Sequence, residues 1–139
     1  MPIEDLARSD VVTADRDTSV GALATAMRDE DVGSIVITDS GTPVGIVTDR
    51  DLAVRVLGTD ADPETQTAAD VMSGELCLIN RDAGFYEAAE LMSEHGIRRL
   101  PVEDGDSLVG IITADDLTEL LADEQQKLAE GIRAQRPAY

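Results

Sequence analysis

Two short segments of the chain combine glycine, threonine and aspartate in a pattern that could bind a phosphorylated sugar. Gly45 to Leu52 reads Gly-Ile-Val-Thr-Asp-Arg-Asp-Leu, and Gly110 to Leu117 reads Gly-Ile-Ile-Thr-Ala-Asp-Asp-Leu. In both, an apolar run typical of a strand leads through Thr-x-x-Asp into a helix. A helix amino terminus presents free amides and the positive end of its dipole, which bind phosphate. The glycines, which lack side chains, would let a ligand approach the strand closely.

The Thr-x-x-Asp pattern allows two interpretations, for Thr48 with Asp51 and for Thr113 with Asp116 alike. In a capping box, the threonine hydroxyl accepts a hydrogen bond from a first-turn amide, and the aspartate reaches back to the cap amide. In a ligand site, the hydroxyl contacts phosphate, and the aspartate, which only accepts hydrogen bonds, takes the two hydroxyls of a ribose. The residues alone favour neither interpretation.

Both segments belong to an internal duplication. At a constant shift of 65 residues and without a gap, residues 5–57 align with residues 70–122, so that Met27 falls on Met92 and Asp39 on Asp104. Two copies are too few for a solenoid, which needs three or more to cover its core. The duplication therefore predicts two similar half-domains that face each other about an approximate two-fold axis. Any cleft at their junction would occur twice.

Each copy predicts the order strand, helix, strand, strand, helix. The first helix is indicated by apolar residues at i, i+3, i+4 and i+7, which are Val20, Leu23, Ala24 and Met27 in one copy and Phe85, Ala88, Ala89 and Met92 in the other. The predicted strands are 11–13, 34–38 and 44–47, with 76–79, 99–102 and 108–112 in the second copy. The second helices begin near Asp49 and Ala114. We therefore expect an α+β fold built from two similar halves.

The predicted organisation is a single module over 1–139, because the length is typical of one domain. Its parts are motif 1 at 5–57, a linker at 58–69, motif 2 at 70–122 and a helical extension at 123–139. In the extension, Leu121, Leu128 and Ile132 continue the helical spacing past the repeat. That helix either packs on its own domain, which is slightly favoured, or presents its leucines to a second subunit.

The composition excludes several partners. The chain has 29 acidic and 11 basic residues, a formal net charge of −18 at pH 7, and 2% aromatic residues. Such a charge repels nucleic acid and anionic membranes, and aromatic platforms for single strands are scarce. Lys127 is the only lysine, and the carboxylates are spread along the chain. This favours a halophile with high internal salt, where the screening length is about 3 Å at about 1 M, over an ordinary acidic surface.

The first twelve residues lack the apolar run of a signal peptide, and no segment is long enough to span a membrane, so we expect a cytoplasmic protein.

Other residues that could do chemistry have no partner nearby in the sequence. Cys77, the only cysteine, lies between two leucines and is interpreted as a small buried hydrophobe. His95, the only histidine, is predicted at a helix end on the surface. No catalytic triad or resident metal site is expected, and hence no enzyme.

The duplicated pattern resembles the CBS domain, a module that usually occurs in pairs. The resemblance covers about nine-tenths of the chain. It is carried by Gly96-Ile97-Arg98-Arg99-Leu100-Pro101-Val102, by Leu108 to Thr113 and by Asp116-Leu117 after a helix that contains Met92. Copy one keeps the segment from Gly45 to Asp51 but has Val32-Gly33-Ser34 where copy two has its basic pair. The chain is thus similar to a stand-alone prokaryotic pair of CBS motifs, a Bateman module.

The resemblance implies that the two halves pack sheet to sheet and leave two equivalent clefts. These clefts would bind adenosine-containing ligands: AMP, ADP or ATP, with Mg²⁺ only as a companion of the phosphates, or S-adenosylmethionine. By position, Asp51 and Asp116 match the ribose-binding aspartate of the family, and Thr48 and Thr113 match its hydroxyl contact. The remaining site residues that the resemblance implies are Thr13, Ala14 and Ile79 (with Leu78) at the adenine pocket and Arg98 and Arg99 at phosphate, and the acidity of the chain adds Arg50 as a further phosphate contact. Arg50 could instead pair with an aspartate on its own helix.

The function expected from this resemblance is regulatory. Ligand binding would change the arrangement of the two halves, and a partner protein would read that change. The resemblance also implies a homodimer. The alternatives are a module for S-adenosylmethionine and an oligomerisation or adaptor module without a ligand, in which Thr-x-x-Asp serves only as a helix cap.

Overall fold

A computed structural model describes residues 2–137 of the chain. The elements of its first half are α1 (Ile3–Leu6), β1 (Thr13–Asp15), α2 (Val20–Glu30), β2 (Ser34–Asp39), β3 (Thr42–Thr48) and α3 (Asp49–Arg55), which a 3₁₀ turn (Leu57–Thr59) follows. Those of the second half are α4 (Ala68–Val71), β4 (Ile79–Asn80), α5 (Phe85–His95), β5 (Arg99–Asp104), β6 (Ser107–Thr113) and α6 (Ala114–Gln135). The predicted α+β class and the repeated element order are confirmed.

Each half contains one three-stranded sheet with the same topology. In the first sheet β2 lies between β1, to which it is parallel, and β3, to which it is antiparallel. The second sheet repeats this with β5 between β4 and β6. A register shift occurs between Ile37 and Thr38, and again between Val102 and Glu103 at the equivalent position. Strands β3 and β6 contact each other, so the halves meet sheet to sheet as expected.

The eleven-residue helix of each half, α2 or α5, begins and ends at residues suited to a helix terminus. The Ser19 hydroxyl accepts a hydrogen bond from the Ala22 amide at 3.1 Å and so caps α2. Helix α5 ends at Gly96, whose φ of 61° lies in the left-handed region that glycine adopts without strain. Helix α2 ends instead at Asp31 in the same conformation, with φ 54°. The apolar stripes predicted on both helices pack into the cores of their own halves, except that Ala24 is exposed and Ala26 packs against the first core instead.

The short helices α1 and α4, which the sequence analysis did not predict, are exchanged between the halves. Ile3 of α1 is fully buried in the second core, and its amide donates to the Ala83 carbonyl at 2.7 Å. Ala68 of α4 is equally buried in the first core, and its amide donates to the Thr18 carbonyl at 2.8 Å. These contacts are equivalent under the 65-residue shift. The exchange ties each motif to the other and explains how two small sheets form one domain.

The same exchange fills the space beside Gly45 and Gly110, which we had expected a ligand to use. A Cβ on Gly45 would lie 2.5 Å from the Met72 sulfur. A Cβ on Gly110 would lie 3.0 Å from the Arg8 carbonyl oxygen and 3.1 Å from the Cβ of Ala7. The segments that follow α4 and α1 therefore pass directly over these glycines. That expectation was wrong, because the close approach is made by the chain itself.

Helix α6 extends well past the second core. Leu117 is its only buried residue in the described part of the chain. Leu121, Leu128 and Ile132 are 56%, 69% and 60% exposed. The favoured interpretation, a helix packed along its length on its own domain, is therefore wrong, because the body of the protein ends near the start of this helix. Its continuity through Gly131 agrees with the predicted helical extension.

The first strand of each half begins later than predicted, and β4 is also shorter than predicted. Strand β1 starts at Thr13 and β4 at Ile79, whereas the sequence predicted extended stretches from 11 and 76. Residues 11–12 and 76–77 instead precede the strands and line clefts between the halves. The stretch predicted as a linker, 58–69, contains the end of the 3₁₀ turn and the beginning of α4.

Candidate functional site

Both Thr-x-x-Asp segments form capping boxes. The Asp51 amide donates to the Thr48 hydroxyl at 3.2 Å, and the Thr48 amide donates to Oδ2 of Asp51 at 2.9 Å. The equivalent distances for Asp116 and Thr113 are 3.1 Å and 3.0 Å. The capping interpretation is therefore correct for both helices. It does not exclude a ligand, because each cap uses one carboxylate oxygen, Oδ2, and leaves the hydroxyl proton of the threonine available.

The two aspartates differ in what their second oxygen contacts. Oδ1 of Asp51 has only Arg55 nearby, with Nε at 4.0 Å, one helical turn later. Oδ1 of Asp116 accepts from Arg8, with Nη2 at 3.0 Å and Nε at 3.3 Å. The side chains of Asp51 and Asp116 are 17% and 11% exposed, so neither points into open solvent. Asp51 thus has only a distant partner for its second oxygen, whereas Asp116 has a close one, and neither aspartate is among the residues that line the two clefts described below.

Two clefts lie between the halves. The larger cleft has a volume of about 620 Å³, within the range of small-molecule sites. Its lining combines the segment before β1 with the start of α6, and comprises Ala7, Arg8, Ser9, Asp10, Val11, Val12, Asp31, Val32, Gly33, Ser34, Arg99, Ile111, Thr113 and Asp115.

The smaller cleft consists of two adjoining pockets of about 220 Å³ each, which share Ile46, Ile97 and Arg99. Its lining combines the segment before β4 with the start of α3, and also includes Thr48, Asp49, Arg50, Ser73, Glu75, Leu76, Cys77, His95, Arg98 and Pro101. Each cleft therefore takes its threonine from one motif and its apolar wall from the other.

The clefts are equivalent under the repeat but unequal in chemistry. Ile111 and Val32 of the larger cleft correspond to Ile46 and Ile97 of the smaller one, so both have a similar apolar wall. The charged positions differ, because Arg8 corresponds to Ser73 on the other side. The expectation of a cleft that occurs twice is met, with a different set of charges in each copy.

Arg99 lies at the junction and lines both clefts. Its guanidinium passes close to Gly33, where an added Cβ would lie 3.0 Å from Nη2 of Arg99 and 3.3 Å from Oδ2 of Asp49. Arg99 is half-buried, and within residues 2–137 its side chain forms neither an ion pair nor a hydrogen bond. The glycine in copy one, where copy two has Arg98, leaves space for this side chain.

The other predicted cations differ in their contacts. Arg98 pairs with Asp115 at 3.1 Å, and both side chains are more than 70% exposed, so this pair can open at little cost. Arg50 lines the smaller cleft, and its side chain forms no ion pair among the described residues. Thus Arg50, Arg98 and Arg99 converge on the smaller cleft, on the same side as Thr48.

The residues expected at the adenine pocket lie slightly beyond the clefts. Thr13 is exposed, and Ala14 packs against the first core. Ile79 is 2% exposed in the second core, and Leu78 before it is half-buried. The cleft walls are formed one to three residues earlier, by Val11 and Val12 and by Leu76 and Cys77. Their apolar character in both copies was the available signal. The assignment of Thr13, Ala14 and Ile79 to the ligand stays a prediction.

Cys77 and His95 form a pair in the smaller cleft that sequence reasoning missed. The Cys77 sulfur lies 3.9 Å from Nδ1 of His95, and the thiol is half-buried rather than enclosed. Nδ1 also lies 3.0 Å from the Leu91 carbonyl oxygen, which assigns its proton to that bond. Burial, and to a lesser degree the charge of Glu94, raise the pKa of the Cys77 thiol. The thiol is therefore a poor nucleophile, contrary to what a catalytic pair requires.

Two classes of feature are absent from residues 2–137. No group of three or more His, Cys, Asp or Glu side chains is placed to hold a metal ion. In the same part of the chain, every helix is too short or too polar to cross a bilayer.

The fold and the paired clefts define a class of protein in which two copies of one α/β motif pack sheet to sheet about an approximate two-fold axis. Within that class, the chain belongs to the CBS domain family, whose model matches residues 3–58 and 68–123. A pair of CBS domains is a regulatory module. The resemblance drawn from the sequence is thereby confirmed.

Two relatives and one solved structure illustrate the likeness. The CBS domain-containing protein YhcV of Bacillus subtilis is 35% identical over 115 residues, which cover 83% of this chain and 81% of that protein. Uncharacterized protein MK0525 of Methanopyrus kandleri is 36% identical over 120 residues, 85% of this chain but only 61% of the longer relative. The CBS domain pair of protein MJ0100, solved with 5′-methylthioadenosine and S-adenosyl-L-methionine, has a TM-score of 0.78 at 25% identity and covers 87% of this chain and 99% of that one.

Proposed function

We infer that the chain senses an adenosine nucleotide (AMP, ADP or ATP) between its two CBS motifs and that a partner protein reads the occupied state. The observation that carries this inference is Arg99. Its half-buried guanidinium borders both clefts and has no carboxylate partner among residues 2–137. Although Oδ2 of Asp49 also approaches the space beside Gly33, no hydrogen bond to the described residues holds the guanidinium, and a phosphate could accept from it through two parallel hydrogen bonds. In a protein of net charge −18, local arginines are also what a phosphate needs.

The smaller cleft suits a nucleotide best. Asp51 does not line this cleft, so a ribose hydroxyl would have to reach its Oδ1 from the edge formed by Thr48 and Arg50, while Oδ2 maintains the helix cap. Leu76 and Ile97 offer an apolar wall to the base. On the other side, Arg99 joins Arg50 and Arg98 beside the amino terminus of α3, where phosphate would be held by cations and by the helix dipole. Magnesium, where present, would travel on the phosphates.

Ligand binding could regulate a partner because residues of both motifs line each cleft. Because each cleft takes residues from both motifs, a ligand that binds there contacts both halves and favours the arrangement in which those contacts are best. The partner then senses ligand through its different affinity for the two arrangements. The helices α1 and α4, exchanged between the halves, make a change in one motif felt by the other.

A second candidate, S-adenosylmethionine, is favoured by the larger cleft. Asp10, Asp31 and Asp115 line it, whereas its arginines are Arg8 and Arg99. Such a surface accommodates the positive sulfonium of S-adenosylmethionine more readily than a chain of phosphates. The MJ0100 pair, which holds this ligand and 5′-methylthioadenosine, supports the class of ligand.

Calorimetry with AMP, ADP, ATP and S-adenosylmethionine, at low and at roughly molar KCl, tests the proposal. We expect at least one nucleotide to bind, and Arg99→Gln to weaken it about tenfold or more, as loss of a charged hydrogen bond predicts. Arg16→Gln is the matched control, because Arg16 is exposed and lies outside both clefts. Absence of heat with all four ligands would contradict the proposal and favour an adaptor module without a ligand.

A further inference from the structure

Arg99 borders both clefts, although only the second motif supplies it. Residues 33–34 of the larger cleft, Gly-Ser, correspond by the repeat to Arg98 and Arg99. A Cβ added to Gly33 would lie 3.0 Å from Nη2 of Arg99, so the guanidinium reaches into the space that this glycine leaves. The larger cleft therefore has no cation of its own at this position and shares Arg99 with the smaller cleft.

The larger cleft has little positive charge besides Arg99. Three carboxylates and two guanidiniums line it, and one of the guanidiniums, that of Arg8, is held by Asp116 at 3.0 Å. The other is Arg99, which forms no ion pair in the described part of the chain. The smaller cleft has two carboxylates and three guanidiniums and suits phosphate better. A phosphate that engages Arg99 from that side takes the unpaired cation away from the larger cleft.

A second contact connects the clefts with the same consequence. Arg98 lines the smaller cleft and Asp115 lines the larger one, and Nη2 of Arg98 lies 3.1 Å from Oδ1 of Asp115. Both side chains are more than 70% exposed, so a phosphate can take Arg98 from this pair at little cost. The Asp115 carboxylate then faces the larger cleft without its counter-charge.

We propose that a nucleotide in the smaller cleft favours a positively charged adenosine compound, such as S-adenosylmethionine, in the larger cleft and disfavours a second nucleotide there. This inference rests on the proposed nucleotide site. Phosphate in the smaller cleft neutralises Arg99 and releases Asp115, so the larger cleft becomes more acidic. A sulfonium is attracted by that change, whereas a second phosphate is repelled.

The coupling acts in both directions. By linkage, the cationic ligand strengthens nucleotide binding by the same factor as the nucleotide strengthens the binding of the cation. The module therefore responds most strongly when two adenosine compounds of opposite charge are present together. The unequal charges of the two clefts, which the duplication alone would not produce, give each ligand its own place.

Calorimetry of the full chain, with S-adenosylmethionine titrated in the presence and absence of AMP, tests the coupling. We expect saturating AMP to lower the dissociation constant of S-adenosylmethionine about fivefold or more, within the usual range of coupling between sites. Adenosine, which lacks the phosphate, is the matched ligand control and should not strengthen S-adenosylmethionine binding. This comparison uses the wild-type protein and needs no variant.

A double variant tests which side chains carry the coupling. Arg99→Gln with Asp115→Asn removes both connections and should abolish the effect of AMP, at AMP concentrations that saturate the variant. Arg16→Gln is the matched control, because Arg16 is exposed and lies outside both clefts, and it should retain the effect.

The outcomes separate this proposal from the nucleotide site on which it rests. If AMP binds but leaves S-adenosylmethionine binding unchanged, competes with it, or still strengthens it in the double variant, the coupling through Arg99 and Asp115 is wrong and the nucleotide site stands. The same holds if AMP binds and S-adenosylmethionine does not bind beside it. Failure of AMP to bind overturns both proposals.

Discussion

Arg8 and Asp116 join the amino-terminal segment to the helix start of the opposite motif. Nη2 and Nε of Arg8 lie 3.0 and 3.3 Å from the same carboxylate oxygen of Asp116. The repeat places Ser73 at the position equivalent to Arg8, so Asp51 in the other motif has no such partner. One ion pair thus distinguishes two clefts that the duplication made alike, and it lies between residues 108 positions apart in the sequence.

The Arg8 and Asp116 pair should matter more to the cleft than to stability. Because the Arg8 side chain is 67% exposed, Arg8→Ala should lower the free energy of unfolding by no more than about 1 kcal/mol. Asp116→Ala removes both this pair and the hydrogen bond from the Thr113 amide in the capping box, and should cost about 0.5–1.5 kcal/mol for that hydrogen bond in addition. Urea denaturation of both variants checks the order. A larger loss for Arg8→Ala than for Asp116→Ala would show that the ion pair, not the cap, stabilises this region.

Substitutions of Asp51 can separate its two roles. Asp51→Asn keeps one oxygen for the Thr48 amide but loses the second acceptor, so it should preserve stability and weaken nucleotide binding about tenfold. Asp51→Ala should weaken binding and also lower stability by about 1 kcal/mol, as loss of the hydrogen bond from the Thr48 amide predicts. Thermal unfolding with and without AMP measures both effects. If Asp51→Asn binds as tightly as the wild type, Asp51 serves the helix alone.

Gly45 should tolerate no side chain, for a reason unrelated to ligands. The added Cβ of Gly45→Ala would lie 2.5 Å from the sulfur and 3.0 Å from Cγ of Met72, so the Met72 side chain must move. Overpacking of this kind costs about 1–3 kcal/mol. Gly74→Ala is the control, because nothing lies within 4 Å of its added Cβ. If the double variant Gly45→Ala with Met72→Ala is no more stable than Gly45→Ala alone, the steric explanation fails.

The reactivity of Cys77 should report on the smaller cleft. Burial raises the pKa of this thiol above its ordinary value, with a smaller contribution from Glu94. Since only the thiolate reacts, alkylation of Cys77 at about pH 8 should be slower than that of an unstructured cysteine and should continue to accelerate above about pH 9. Glu94→Gln should lower the pKa and speed the reaction. A rate that levels off below about pH 8 would mean that the pKa is lowered instead.

The duplication made the fold predictable to a large extent. Residues that repeat at a fixed shift, such as Met27 with Met92, identified the two main helices and the one hairpin of each copy. The exchange of α1 and α4 was not predictable in the same way. Four-residue helices have no measurable periodicity, and the burial of Ile3 depends on a sheet that forms from residues about a hundred positions later.

The site was predictable where local chemistry decides it. Thr48 and Thr113 were predicted at helix starts because a capping box forms from contacts between neighbouring residues, which the local sequence already contains. The cleft walls depend on which half each segment crosses to, so Arg8 and Val11 gave no signal within their own neighbourhood. Arg99 was identified by resemblance, but its position between two clefts follows from the two-fold axis, which brings Gly33 of one motif beside it.

A crystal structure of the protein grown with saturating AMP is the most direct test of the account. The prediction is a nucleotide in the smaller cleft, with a ribose hydroxyl within hydrogen-bond distance of Oδ1 of Asp51 and a phosphate oxygen within about 3 Å of the Arg99 guanidinium. AMP bound outside both clefts, or clefts that stay empty at a concentration that saturates binding in solution, would contradict it.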